Sequence, residues 1–199
     1  MASEYFITPV GDIMKKELDE MLCEKYPKIF GYRNKSMKET CMCWGFEHGD
    51  GWFNIINAMC SSIQNHVDWS RTNRNDALRF NRALRCALTK QDKTSLIKFF
   101  TYGKNDPGSW AIKSAEAAIA SAEYREVPAA CPQVVAEQVK EKFGTLRFYY
   151  RGGDEYVRGV VDMAENMSSI TCEACGNPGE CIDGGWIRTL CEEHVMKRD

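Results

Sequence analysis

Apolar positions recur at helical spacing along much of the chain, and alternate only briefly. Asp12 is placed to cap a helix running to about Tyr26, with Met14, Leu18, Met21 and Leu22 on one side and Pro27 ending it. Asp50 caps the next, in which Phe53, Ile56, Cys60, Ile63 and Val67 form one apolar stripe and Trp69 closes the element. A further helix covers about Asn75 to Leu88, with Ala77, Phe80, Leu84 and Leu88 on one face and Arg79, Arg82 and Arg85 on the other. Lys98 to Ser109 reads as a connection through Gly103 and Asp106-Pro-Gly, and Ser109 caps an alanine-rich helix that ends before Val127-Pro128.

Pro132 suits the first turn of another helix, with Val135, Val139 and Phe143 as its stripe and Gly144 as its terminal glycine. Thr145 to Tyr150 alternates: Leu146, Phe148 and Tyr150 face one way, Thr145, Arg147 and Tyr149 the other, which predicts a strand. After Arg151-Gly-Gly, Asp154 caps a helix that buries Val157, Val160, Val161, Ala164 and Met167. Between the first two helices, Cys41 to Gly51 is rich in glycine and aromatics and reads as a structured loop. These elements predict an α+β, mainly helical fold: a helical body over residues 1–170 with a short sheet, and a module over 171–199 packed on it.

That module carries the strongest chemical signal. Cys172-x-x-Cys175 followed by Cys191-x-x-His194 is a four-ligand zinc pattern. Cys175-Gly176 makes a tight knuckle, Gly184-Gly185 turns the chain, and Trp186 to Leu190 alternates as a strand. Cys191 and His194 would then share the first turn of a closing helix. Knuckle, hairpin and helix in that order predict a treble-clef-like module, and four protein ligands make the zinc structural rather than catalytic. Cys181, in the same stretch, is the alternative to His194 as fourth ligand. Cys41, Cys43 and His48 could seed a second metal site, against a loop packed by Trp44 and Phe46 with the thiols as small apolar fillers.

The 199 residues are 44% hydrophobic and carry a net charge of −2, so a packed core is expected and no global field draws the chain to nucleic acid or membrane. Ten cysteines stay below the roughly 8–10% that marks a disulfide scaffold. With no signal-like N-terminus and no span long enough for a bilayer, the chain reads as an intracellular protein with reduced thiols. Locally the balance differs. Between Arg71 and Lys98 lie Arg71, Arg74, Arg79, Arg82, Arg85, Lys90, Lys93 and Lys98 against Asp76 and Asp92 alone. Such a helix can track phosphates, or simply be a solvated face. Arg147 and Tyr149 on one strand face could grip a nucleotide or lie against a helix.

Catalytic signals are sparse. With His194 assigned to zinc, only His48 and His66 remain, and there is no nucleophile elbow, phosphate loop or His-Glu-x-x-His pattern. Cys43 or Cys60 could partner His66 only through space, and Cys60 and His66 diverge on the helix wheel. No heptad seam specifies an oligomer.

Three strings carry a family resemblance: Cys-Trp-Gly-Phe-Glu-His-Gly-Asp-Gly-Trp-Phe (43–53), Val-Lys-Glu-Lys-Phe-Gly-Thr-Leu-Arg-Phe-Tyr-Tyr-Arg-Gly-Gly-Asp-Glu-Tyr (139–156) and the Cys172–His194 stretch. Together they resemble a family of small uncharacterised proteins of tailed bacteriophages and prophages, over most of residues 13–195. The resemblance implies an accessory phage protein at work in the bacterial host cytoplasm. By analogy, such a protein would act without catalysis, countering host defence by binding a host protein or sequestering a signalling nucleotide. The alternative is a nucleic-acid-binding protein that uses the Arg71–Arg85 face and the zinc tail.

Overall fold

The computed structural model describes residues 13–101, 108–183 and 185–196. Asp12, Gly103, Asp106 and Gly184, named above as cap or turn residues, lie outside them. The fold is α+β and mainly helical. In chain order come α1 (Lys16–Lys25), β1 (Phe46–Glu47), α2 (Phe53–Lys90), α3 (Thr94–Phe100) and α4 (Ser109–Ser121). β2 (Val135–Lys142), β3 (Thr145–Arg151), α5 (Glu155–Ser168), β4 (Glu180–Ile182), β5 (Arg188–Leu190) and α6 (Glu192–Val195) follow. No helix among the described residues is long and apolar enough to cross a membrane.

The chain divides into two compact units, and the division does not fall at 170/171. One unit comprises residues 1–67 and 131–199, the other residues 68–130. In the first, β1 pairs parallel with β2, and β2 antiparallel with β3. Leu22, Ile29, Phe46, Trp52, Ile56, Ile63, Val139 and Leu146 are fully buried or nearly so in one core, with Val157, Val161 and Ala164 from α5. The open edge of β3 is closed by side chains of α5: Ser168 Oγ accepts from Leu146 N at 2.8 Å, and Glu165 Oε1 from Phe148 N at 2.9 Å. An edge strand so occupied is a poor template for another chain.

The second unit contains the C-terminal part of α2, then α3 and α4, around Phe80, Leu84, Ala87, Leu96, Phe99 and Ala115. Phe80, Phe99 and Phe100 meet edge to face, and the Arg125 guanidinium lies 4.1 Å from the Phe80 ring centroid. The extended strap after α4 is held by reciprocal bonds: Asn81 Nδ2 donates to Arg125 O, and Arg125 N donates to Asn81 Oδ1, both at 2.8 Å.

Several expected elements come out differently. The two helices proposed over 53–69 and 75–88 are one helix, α2, and Trp69 closes nothing. Between Val67 and Ala77 the apolar stripe lapses, but no proline or glycine interrupts the ladder, so hydrogen bonding runs on. The helix expected over 132–143 is the strand β2. Glu137 forms a bulge, since Ala136 pairs with Tyr150 and Gln138 with Tyr149. One extra residue puts Ala136 and Val139 on the same buried face three positions apart, which imitates helical spacing. The 41–51 loop contains β1, α3 was not anticipated, and Met21, Leu88 and Met167, assigned to buried faces, are exposed. Asp50 does not cap α2; it accepts from Lys15 N at 2.8 Å and pairs with the Lys15 ammonium.

The β2–β3 hairpin turns on two residues, Phe143 and Gly144, with φ of 54° and 77°. That is the left-handed pair a type I′ turn demands, and phenylalanine suits it poorly. Phe143 is 68% exposed, so no buried packing opposes its replacement. Phe143→Asn is expected to stabilise the protein by about 0.5–1 kcal/mol, read as a raised urea midpoint at unchanged m-value.

Candidate metal centre and arginine ridge

Local backbone geometry builds the C-terminal cluster. Cys172 N donates to Asn177 O at 2.7 Å and Gly176 N to Cys172 O at 2.8 Å, which closes a knuckle with Gly176 at φ 80°. Strands β4 and β5 form the hairpin, and Cys191 is the N-cap of α6. His194 N reaches back to Cys191 O at 3.0 Å, so one helical turn presents both side chains together.

The four side chains converge: the ligand atoms of Cys172, Cys175, Cys191 and His194 all lie within 4.8 Å of one another. Cys175 and Cys191 sulfurs are 3.7 Å apart, and His194 Nδ1 lies 3.1 Å from Cys191 Sγ and 3.8 Å from Cys172 Sγ. A tetrahedron with metal–sulfur bonds of about 2.3 Å has sulfur–sulfur edges of about 3.8 Å, so the set can hold a metal ion. Its electrostatics point the same way. Burial opposes ionisation of Cys172, but backbone amides of Cys191, Cys175 and Ala174 outweigh it and lower its pKa. The contact with His194 lowers that of Cys191, while desolvation and the neighbouring sulfurs push Cys175 up to about 11. Three adjacent thiolates repel one another, and a central cation removes that repulsion.

The cluster is docked on the segment 49–52. Gly51 N donates to Glu173 O at 2.7 Å, and Trp52 Nε1 to Thr171 O at 2.9 Å. A Cβ on Gly51 would lie 2.1 Å from Cys172 O, so only glycine lets the two backbones meet. Glu173, 1% exposed, accepts from Gly49 N at 3.1 Å and Arg188 Nε at 2.9 Å; burial raises its carboxyl pKa and Arg188 opposes the rise. Thr189 Oγ1 donates to Gly144 O at 2.6 Å, which attaches β5 to the hairpin turn.

Cys181 is exposed on β4 and is no member of the cluster, so His194 is its fourth side chain. Cys41, Cys43 and His48 do not form a metal group among the described residues. Cys43 Sγ contacts Thr40 O, and His48 is fully buried between Phe46 and Trp52, its Nδ1–H donating to Gly49 O at 2.9 Å. His48 Nε2 has no hydrogen-bond partner among the described residues, and burial pushes the imidazole down to about 4.

The arginines separate into two roles. Arg74 Nη1 donates to Pro128 O at 2.8 Å and so braces the strap of the second unit. Arg71, Arg79, Arg82 and Arg85 are exposed. Arg79, Arg82 and Arg85 line an open groove of about 530 Å³ with Leu78, Asn81 and the half-exposed Tyr124. On the other side of Arg79 and Arg82 is a groove of about 410 Å³ bounded by Ser95, Lys98 and Phe99. At 100° per residue Arg71 shares the direction of Arg82, about 16 Å earlier along the helix. Arg147 and Tyr149 each have a neighbour of their own: Arg147 is 3.5 Å from Glu165, and the Lys140 ammonium lies 5.7 Å from the Tyr149 ring.

One group was missed in sequence. His66, Cys131 and Asp154 bring one ligand atom each within 4.8 Å of the others, from α2, the segment before β2 and the N-cap of α5. Desolvation and the adjacent Asp154 carboxylate push the Cys131 thiol up to about 11. The three are far apart along the chain and form no spacing motif, so only their assembly could reveal them. Comparison with protein-family models, curated proteins and solved structures finds no match for the chain.

His48 yields a pH test. Its ordinary pKa of 6.5 applies when unfolded, against about 4 in the fold, so between these values the unfolded chain binds more protons. This contribution is therefore fully present above pH 6.5 and is lost as pH falls toward 4, by about 3 kcal/mol in total. His48→Phe removes it. Urea titrations of the two proteins across that window should show the wild type losing stability faster toward acid; parallel curves would contradict a neutral buried imidazole.

Proposed function

We propose that the chain acts by binding, that its contact surface is the arginine ridge of the second unit, and that its ligand is nucleic acid. The observation that carries this is the run of exposed guanidinium groups at Arg82 and Arg85, which have no acidic partner among the described residues, continued by Arg71 and by Arg79, whose contact with Asp76 is a 3.6 Å exposed pair of little worth. Residues 68–130 carry 11 basic and 7 acidic side chains in a chain whose total is −2. The grooves beside the ridge are open, whereas small-molecule sites bury about 70–90% of their ligand. An extended phosphate backbone therefore suits this surface better than a sequestered signalling nucleotide, and the exposed Tyr124 offers a ring for base stacking. In the setting implied by the phage resemblance, such a protein would work in the bacterial host cytoplasm, engaging nucleic acid to the detriment of host defence.

The Cys172, Cys175, Cys191 and His194 cluster is read as a structural zinc site. Four protein ligands leave no position for substrate, and thiolate with imidazole favours zinc over hard cations. The ion would hold knuckle, hairpin and α6 together in a segment with little core of its own. Cys172→Ser or Cys191→Ser should lower the zinc content by one ion per chain and destabilise residues 171–196, while Cys181→Ser leaves the content unchanged. Elemental analysis with hydrogen exchange of that segment checks both.

For the ridge, fluorescence anisotropy with labelled duplex and single-stranded oligonucleotides is the direct measurement. Binding should weaken steeply with salt. Replacing Arg79, Arg82 and Arg85 together by alanine should reduce the slope of log K against log salt by about 2–3 on duplex. Equal binding by the triple variant, or none by the wild type at low salt, overturns the assignment.

A further inference from the structure

The His66, Cys131 and Asp154 group lies apart from the C-terminal cluster in sequence and shares no residue with it. Its geometry is built, not accidental. Gly152, at φ 82°, lies so close to the segment before β2 that a Cβ there would fall 2.1 Å from Gln133 O. Gly153 N donates to Pro132 O at 3.0 Å, so the β3–α5 turn is stitched alongside residues 132–134 and carries Asp154 to Cys131. From the other side, the Gln133 and Gln64 amides bond at 3.0 Å, which holds α2 two residues from His66. His66 then reaches Asp154, Nε2 to Oδ2 at 2.8 Å.

We propose that His66 Nε2, Cys131 Sγ and Asp154 Oδ2 form a second metal site, for a borderline-soft divalent ion of the zinc type, with its fourth position open to water. Three observations converge. The donor set is nitrogen, sulfur and oxygen: thiolate and imidazole select such an ion over magnesium or calcium, and a three-ligand set is the open form of a zinc site. The charges balance, because thiolate and carboxylate together neutralise a divalent cation while imidazole coordinates neutral. Finally, both outer ligands are already oriented by groups behind them. Asp154 Oδ1 accepts from Val157 N at 3.2 Å, which leaves Oδ2 for the ion, and Tyr156 stacks on the His66 ring with centroids 4.2 Å apart.

Binding exchanges one proton bridge for the ion. The proton on His66 Nε2 gives way to the ion while Nδ1 carries one, so that the ring stays neutral, and the Cys131 thiol proton passes to solvent. The nitrogen–oxygen separation then opens from 2.8 Å toward the edge of about 3.3 Å set by bonds of about 2.0 Å. Cys131 is buried and His66 is only partly exposed, so the ion would meet solvent on the Asp154 side.

The test is equilibrium dialysis of the full chain against zinc buffered to about 1 μM free ion at neutral pH, with bound metal counted by mass spectrometry. Two zinc ions per chain are expected. Cys131→Ser, His66→Gln and Asp154→Asn should each reduce the count to one. The glutamine can still hydrogen-bond Asp154, and the asparagine still caps α5, so these two variants separate loss of a ligand from loss of fold. The ion retained at the C-terminal cluster reports that the chain is folded. A single zinc in the wild type, or a second zinc that survives in all three variants, overturns the proposal.

Discussion

The first unit depends on one close approach of backbone to backbone. Gly51 meets the peptide groups of Cys172 and Glu173 at a separation that admits no side chain, and the two segments exchange hydrogen bonds there. Everything near the contact is arranged around it. Trp52, fully buried, spans from the core to Thr171 O, while the Glu173 carboxylate collects the Gly49 amide and the Arg188 guanidinium. A buried carboxylate of this kind is costly unless both oxygens are engaged, and here they are. The cysteine cluster is thus no loose appendage, because its knuckle is one wall of the contact that also starts α2.

The same unit closes its polar accounts at the sheet. The free edge of β3 is met by Glu165 and Ser168 of α5, and the hairpin turn receives Thr189 of β5. These are side chain to backbone bonds across elements distant in sequence, and they fix register where a three-strand sheet alone would fix little. His48 is the exception, a buried imidazole with one nitrogen bonded and the other without a partner among the described residues. Its cost is borne by the packing of Phe46 and Trp52 around it.

The second unit is organised on different lines. Its core is a small aromatic cluster; Arg71, Arg79, Arg82 and Arg85 face outward along α2, whereas Arg74 and Arg125 brace the strap and Lys93 pairs with Glu116 of α4. A guanidinium used as a brace is not available to a ligand, so equal spacing in sequence does not mean equal role. That distinction concentrates the binding surface on Arg79, Arg82 and Arg85, with Arg71 further along the helix.

The cysteine cluster was legible in the sequence because its ligands come in two local pairs, each close enough for a single knuckle or helical turn to present. The helical class and the strand at 145–150 were legible for the same reason: periodicity is a local property, and these segments bury one uninterrupted face. Where the pattern failed, tertiary structure had overridden it. The bulge at Glu137 gave β2 a helix-like spacing of buried residues. The continuity of α2 across its polar stretch rests on an unbroken hydrogen-bond ladder, a property that hydrophobic pattern does not record. The convergence of His66, Cys131 and Asp154 was invisible for a stronger reason. Three segments meet there only because Gly152 lets two backbones touch and Gln64 bonds Gln133, and no local spacing encodes a meeting of that kind.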